Sequence, residues 1–246
     1  MKEKLKLIDA NIENLTSLWK TVSMPFGSYY KNQTFDYCQI NDSDWPNRLW
    51  FNQEINKRIV EQAIEKLSAI DGTMIVPYWN MYDNNLLENL ETAGFTKKFQ
   101  QIGMSLKLDQ PVKLEPNLII KLVSNDADAK EWAEIYLKAF KYKISEETLV
   151  NTFKDINYYL AYYQNEPVGT AILFQTNKVS GIHGVGVIPE MRKRGFAEQI
   201  MKHLINMAVE NNSEYVTLQA SDMGKNIYLQ LGFEEQFVIK NYFLQP

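Results

Sequence analysis

The chain of 246 residues has a single cysteine, Cys38, so an intrachain disulfide is impossible and a thiolate metal cluster is excluded. It has two histidines, and no set of His, Cys and carboxylate residues stands at metal-ligand spacing, so no metal is expected. No Ser-His-Asp or Cys-His arrangement is evident either, which argues against a covalent enzyme intermediate. Long apolar runs are lacking, and so is a membrane-spanning segment. The opening Met-Lys-Glu-Lys-Leu-Lys-Leu-Ile alternates charge with apolar residues rather than forming the hydrophobic stretch of a signal peptide, so a cytoplasmic location is the default. There is no basic excess: the formal charge of -4 argues against nucleic acid as a partner. What is present is 45% hydrophobic and 13% aromatic residues, enough for the core of one large domain or two ordinary ones.

The most informative stretch is Val-Gly-Val-Ile-Pro-Glu-Met-Arg-Lys-Arg-Gly-Phe-Ala, residues 185–197. An extended apolar segment runs into a basic, glycine-bearing turn that opens a helix. The peptide N–H groups of Arg192, Lys193, Arg194, Gly195, Phe196 and Ala197 would be unpaired donors of a helix start, reinforced by the helix dipole, and Gly195 lets backbone approach a ligand. Such a turn suits a pyrophosphate.

Pattern extends the reading to both halves. Residues 5–8 predict a short strand and residues 11–20 a helix. Residues 118–123 and the helix that follows repeat that order, with Ser124 or Asn125 as cap and Trp132, Ile135, Tyr136, Ala139 and Phe140 as its buried stripe. A helix over 51–69 and a strand over 73–76 precede Leu87-Glu-Asn-Leu-Glu-Thr-Ala-Gly-Phe95. In parallel, a helix over 195–211 and a strand over 215–218 precede Ile227-Tyr-Leu-Gln-Leu-Gly-Phe233. Residues 158–163, 168–175 and 179–187 predict an antiparallel meander. The fold class expected is α/β, a mixed, mostly antiparallel sheet flanked by helices, in two tandem units split near residue 112, where Pro111 and Pro116 interrupt regular structure.

The basic turn, together with Gly224-Lys-Asn-Ile-Tyr228-Leu-Gln-Leu-Gly-Phe233 farther on, resembles the GNAT acetyltransferase superfamily. That family's coenzyme A loop reads Arg or Gln, two residues, Gly, one residue, then Gly or Ala; Arg192, Gly195 and Ala197 match it in order. The resemblance implies two tandem GNAT-like domains. Residues 1–112 would be a degenerate copy, because residues 22–50 hold no Arg-x-x-Gly-x-Ala turn, and residues 113–246 would bind acetyl-coenzyme A and catalyse. It also implies that the backbone of Val185, Gly186 and Val187 pairs with the pantetheine arm and polarises the thioester carbonyl, and that Gly186 leaves that approach open.

By the same resemblance Tyr228 donates a proton to the departing thiolate. The chemistry permits this, since a phenol of pKa about 10 stays protonated where a thiol of about 8.5 is formed. His183, read as sharing a strand face with Val185 and Val187, is the candidate base for the amine, directly or through water. The family asparagine that contacts pantetheine is replaced by Ser221, and Asn226 would substitute or face water. Arg192, Lys193 and Arg194 would contact phosphates, including the 3'-phosphate. Glu190 is assigned no catalysis, His203 a surface or packing role, and Cys38 a place in the core.

The expected activity is acetyl transfer to a primary amine of a small molecule or peptide by direct attack on the thioester. A sensor or scaffold that holds an acyl-coenzyme A, or a different acyl group or acceptor, stays open. Acceptor contacts are expected from residues 141–145 and 237–242, with Phe140, Tyr142, Phe237 and Tyr242 either lining a pocket or packing an interface. Monomer and homodimer are both compatible with the sequence.

Overall fold

The computed structural model describes residues 2–80, 90–115 and 117–245. The chain opens with one long helix, α1 (Lys2–Ser23), followed by three short strands, β1 (Tyr29–Lys31), β2 (Phe35–Cys38) and β3 (Arg48–Phe51). Helix α2 (Lys57–Ser68) and strands β4 (Val76–Asn80) and β5 (Phe95–Lys107) complete the first half. The second half runs β6 (Ile119–Leu122), α3 (Asp126–Phe140), α4 (Glu146–Thr152), β7 (Asn157–Tyr163), β8 (Glu166–Thr176) and β9 (Val179–Val187). It ends with α5 (Phe196–Glu210), β10 (Tyr215–Ala220), α6 (Lys225–Gln230) and β11 (Glu234–Leu244).

Several expectations are corrected at the start of the chain. Residues 5–8 are not a strand: Ile8, Asn11, Leu15, Leu18 and Val22 form one buried helical stripe, so the helical period extends back through them. The helix expected over 51–69 begins at Lys57, where the Asn56 side chain accepts the Ile59 N–H and fixes its start. Residues 22–50, read only as polar and aromatic, carry the three-stranded sheet β1-β2-β3. In the echo motif, residues 87–89 lie outside the described residues; residues 90–92 are helical and Gly94, at φ +94°, ends the turn. Residues 237–242 are not a loop but part of β11. Phe237 and Tyr242 are core residues there, so the expectation that they meet the acceptor is withdrawn.

The second half follows its sequence pattern closely. Asn125 caps α3 by accepting the Asp128 N–H, and the expected meander forms β7, β8 and β9. Trp132, Ile135 and Tyr136 of α3 and Leu15, Leu18 and Trp19 of α1 pack on one face of the sheet. Ile200, Met201 and Leu204 of α5 pack on the other. A third cluster joins α2 to β4 and β11.

The main sheet has eight strands in the order β4-β11-β5-β10-β9-β8-β7-β6. The boundary near residue 112 falls between β5 and β6, yet both lie in this one sheet. Strand β5 sits between β10 and β11, and β11 sits between β4 and β5, so the last strand of each half is flanked by the other. The linker is tied to α5 by two hydrogen bonds, Val112 N–H to Asn206 Oδ1 (2.7 Å) and Asn206 Nδ2 to the Val112 carbonyl (2.9 Å). The order three strands, helix, strand, helical turn, strand in the first half recurs in the second from β7 to β11.

This interleaving predicts that residues 113–246 produced alone, with β10 and β11 deprived of their shared neighbour, will unfold in urea at a lower midpoint and less cooperatively than the full chain. Co-expression with residues 1–112 will restore a single transition. An isolated second half with the full-length midpoint would contradict this arrangement.

Candidate active site

Strands β9 and β10 are the one parallel pair in the main sheet among the described residues, and their pairing is short. Val179, Ser180 and Gly181 face Tyr215, Val216 and Thr217, after which the strands part. Each continues with its outer neighbour: β9 pairs with β8 as far as Val187, and β10 with β5 as far as Ala220. Two strand edges therefore face each other without hydrogen bonds between them. The opening belongs to a cleft of about 1310 Å3 lined by Ile182, His183, Gly184 and Val185 on one side and Leu218, Gln219 and Ser221 on the other.

Side chains, not backbone, bridge the gap. His183 Nδ1 lies 3.1 Å from Gln219 Oε1 across the opening, and Nε2 lies 3.1 Å from Asn14 Oδ1 of α1. The amide orientations are set by carbonyl acceptors. Asn14 Nδ2 donates to the Phe174 carbonyl (2.9 Å), and Asn11 Nδ2 donates to the Met104 carbonyl (3.1 Å), leaving Asn11 Oδ1 to accept from Gln219 Nε2 (2.8 Å). Both imidazole nitrogens thus face oxygens, and a neutral ring can donate to only one of them. Burial pushes the His183 pKa down to about 4, against the opposing pull of Gln219.

A β-bulge corrects the assignment of faces. Ile172 pairs with His183 but Thr170 pairs with Gly186, so β9 carries an extra residue at Gly184, which has φ +57° and accepts the Thr170 hydroxyl at 3.1 Å. The alternation resets there: Val185 and Val187 join the α5 core, whereas His183 points to α1 on the opposite face. Gly186 is also not held open for a ligand. A methyl built on it would lie 2.4 Å from the Phe140 ring, so glycine is required for α3 to dock. Gly181 is tighter still, since a methyl there would meet Asn14 Oδ1 at 1.8 Å.

The basic turn opens α5 as expected. Gly195 is left-handed at φ 78° and offers no side-chain cap, and the N–H groups of Lys193, Arg194, Gly195, Phe196, Ala197 and Glu198 have no acceptor among the described residues. The Arg192 N–H differs, bonding the Pro189 carbonyl. The three basic side chains also divide. The Arg192 guanidinium turns inward, donating to the carbonyls of Val187 (3.1 Å) and Ala139 (2.7 Å), so it braces the turn between β9 and α3 instead of meeting phosphate. Arg194 lies over the rings of Tyr163 and Phe196 at 5.0 and 5.2 Å, and Lys193 is exposed.

Tyr228 of α6 lines the same cleft, and its hydroxyl has no hydrogen-bond partner among the described residues. Burial pushes its pKa up to about 12, so it holds its proton at neutral pH. Asn226, two residues earlier, is exposed and its side chain has no hydrogen-bond partner among the described residues; Ser221 lines the cleft. His203 is half-buried with Nε2 unbonded, and Cys38 is buried with its thiol pushed up to about 11. Among the described residues, no three of His, Cys, Asp and Glu gather where they could hold a metal ion, and no helix is long and apolar enough to cross a membrane. Asn11, Asn14 and Gln219 were not singled out in the sequence, although Asn11 and Asn14 stand within the apolar stripe of α1, where an amide needs a reason.

Residues 123–240 match a family model described as acetyltransferase (GNAT) domain. Among solved structures, a GCN5-related N-acetyltransferase from Kribbella flavida is similar with a TM-score of 0.71 at 15% identity, covering 96% of each chain. One from Sphaerobacter thermophilus has a TM-score of 0.63 at 17% identity, covering 86% of this chain and 80% of the other. A functionally unknown conserved protein from Staphylococcus epidermidis has a TM-score of 0.65 at 17% identity, covering 88% and 93%. No curated protein matches this sequence. Residues 123–240 are thus similar to the GNAT acetyltransferase domain, and the likeness in fold to these solved structures extends over most of the chain.

Two outcomes follow from the bridge. Gly181→Ala will destabilise the protein by about 2 kcal/mol or more, because backbone and a fixed amide cannot both yield, as measured by urea unfolding. Since folding lowers the His183 pKa from an ordinary 6.5 to about 4, its contribution to stability is full above pH 6.5 and is lost as pH falls toward 4. The midpoint of thermal unfolding will therefore drop between pH 7 and 5.5, and His183→Gln will shrink that drop; an unchanged drop would assign it elsewhere, for instance to His203.

Proposed function

We propose that the protein transfers the acetyl group of acetyl-coenzyme A to a primary amine of a small molecule or peptide. The observation that carries this reading is the parting of β9 from β10 beside a turn of unpaired N–H groups, with an unpartnered, protonated Tyr228 on the same cleft. The residues fit the co-substrate: the donors from Lys193 to Glu198 suit its pyrophosphate, and the free edge of β9 at Val185, Gly186 and Val187 suits its pantetheine amides. Acetyl-coenzyme A, when bound, supplies an activated thioester open to direct attack by the amine.

Each remaining requirement is met by a group of this chain. Peptide N–H groups at the end of β9 face the opening and can polarise a carbonyl. Tyr228 holds a proton for a leaving sulfur. His183 is a weak base at a pKa of about 4 with both nitrogens directed at amide oxygens, so water in the cleft takes the amine proton and His183 holds the strands apart. Lys193 is the basic side chain left free for phosphate.

Residues 1–112 serve in this proposal as a degenerate copy of the unit in residues 113–246. The recurrence of element order supports that, and α2 supplies the contrast: its start is closed by the Asn56 side chain, using a donor that the start of α5 leaves open. The first half covers the acceptor side of the cleft.

Calorimetry with acetyl-coenzyme A and thiol release with an amine panel test the reading. Gly195→Glu will abolish binding, and Tyr228→Phe will keep it while lowering kcat by about 100-fold. Unimpaired turnover by Tyr228→Phe would remove Tyr228 from the chemistry. Binding without turnover on any amine would instead favour a sensor, and no binding by the unmodified protein would end the proposal.

A further inference from the structure

The cleft does not stop at the parted strands. It extends beneath the first half, where it is lined by Trp19, by the loop from Gln39 to Asn47, and by Arg48 at the start of β3. Arg48 Nη1 donates to the carbonyls of Pro46 (2.6 Å) and Asn47 (3.1 Å), and its guanidinium carbon lies 5.8 Å from the centre of a Trp19 ring. That accounts for one end of the fork. Nε and Nη2 have no hydrogen-bond partner among the described residues, and they are not sealed in, on a residue that lines the cleft.

Among the described residues, no carboxylate pairs with this cation. The acidic groups that face it are Tyr142, Cys38 and Tyr136, and burial raises the pKa of all three, so each is neutral at physiological pH. A half-buried charge with no carboxylate beside it favours an anion from outside, and an arginine does not shed its proton instead. The free edge, Nε with Nη2, is the edge of a guanidinium that matches the two oxygens of a planar carboxylate.

The place is also right. A methyl built on Gly184 in the β9 bulge would lie 3.3 Å from the Tyr136 ring, the Tyr136 hydroxyl meets the Tyr142 hydroxyl, and Arg48 is the charged neighbour of both. One tyrosine pair therefore separates Arg48 from the strand edge where acetyl transfer is assigned. The same cleft carries Asp42, Asp44, Asp71 and Asp222 against one lysine, Lys98, all exposed and therefore at its rim. A negative mouth attracts an ammonium group, whereas the buried end offers a positive charge.

We infer that Arg48 anchors a carboxylate of the acceptor, so that the acceptor is an amino acid or an amine with an amino-acid end. This rests on the acetyl-transfer reading and narrows it. Arg48 binds the group that does not react, and in doing so delivers the amine to the parted strands.

The test compares each standard amino acid with its primary amide as acceptor, by thiol release from acetyl-coenzyme A, in the unmodified protein and in Arg48→Lys and Arg48→Gln. At least one amino acid should exceed its amide in kcat/KM by about 30-fold or more, and both substitutions should narrow that ratio. Amides used as well as acids would overturn the anchor while leaving acetyl transfer intact, and because this comparison uses the unmodified protein it stands even if a variant fails to fold. Should the protein show no acetyl-coenzyme A binding or turnover at all, calorimetry with N-acetyl amino acids against N-acetyl amino acid amides decides the point alone. Tighter binding of the acids, lost in Arg48→Gln, supports the anchor, and equal or absent binding of the two sets removes it.

Discussion

The hydrogen-bonded bridge Asn14–His183–Gln219–Asn11 is the contact on which the site depends. A parallel pair gains by closing its ladder, and β9 and β10 begin to do so over three pairs before Asn14 reaches in at Gly181. From there each strand keeps its outer neighbour and meets the other only through side chains. The imidazole and the Gln219 amide span a distance that backbone hydrogen bonds would have closed, so the opening is enforced by side-chain length. Because the bridging amides sit on α1, the first helix of the chain sets the geometry of strands encoded far downstream.

That dependence makes the two halves unequal partners in one site. The second half supplies the donor-rich turn, the strand edge and Tyr228; the first supplies the wedge, the aromatic and polar roof, and Arg48. Strong charge is divided accordingly. Four aspartates and Lys98 are exposed on the cleft, the unpaired N–H groups follow β9, and the one guanidinium that lines the cleft comes from the first half. In the proposed reaction the co-substrate's phosphates and the acceptor's carboxylate would therefore not compete for one cation.

Local signals were legible, long-range ones were not. The glycine turn at 195, the helix that ends at Gly232 and the strands from 157 to 187 follow from periodicity and turn chemistry. The face of His183 was misread because a bulge shifts the alternation by one, and the sequence signal for it was an extra glycine, Gly184, between residues that otherwise alternate. Gly186 was read as clearance for a ligand, but it is clearance for Phe140, a neighbour chosen by the docking of α3. Arg192 fits the motif, yet its side chain finds two carbonyls only when α3 and β9 converge. The tyrosine pair and Arg48 come together through packing alone, across 88 and 94 positions of sequence, where no periodicity reports.

The interleaved strands also fix an order of events during synthesis. When the ribosome has released β4 and β5, the strand that belongs between them, β11, is the last to be made. The first half must wait with two unsatisfied edges until nearly the whole chain has emerged, and its only protection meanwhile is what α1, α2 and the small sheet can cover. Contacts of such long sequence separation form slowly. The nascent chain is therefore exposed to aggregation for longest in the very region that lines the far part of the cleft.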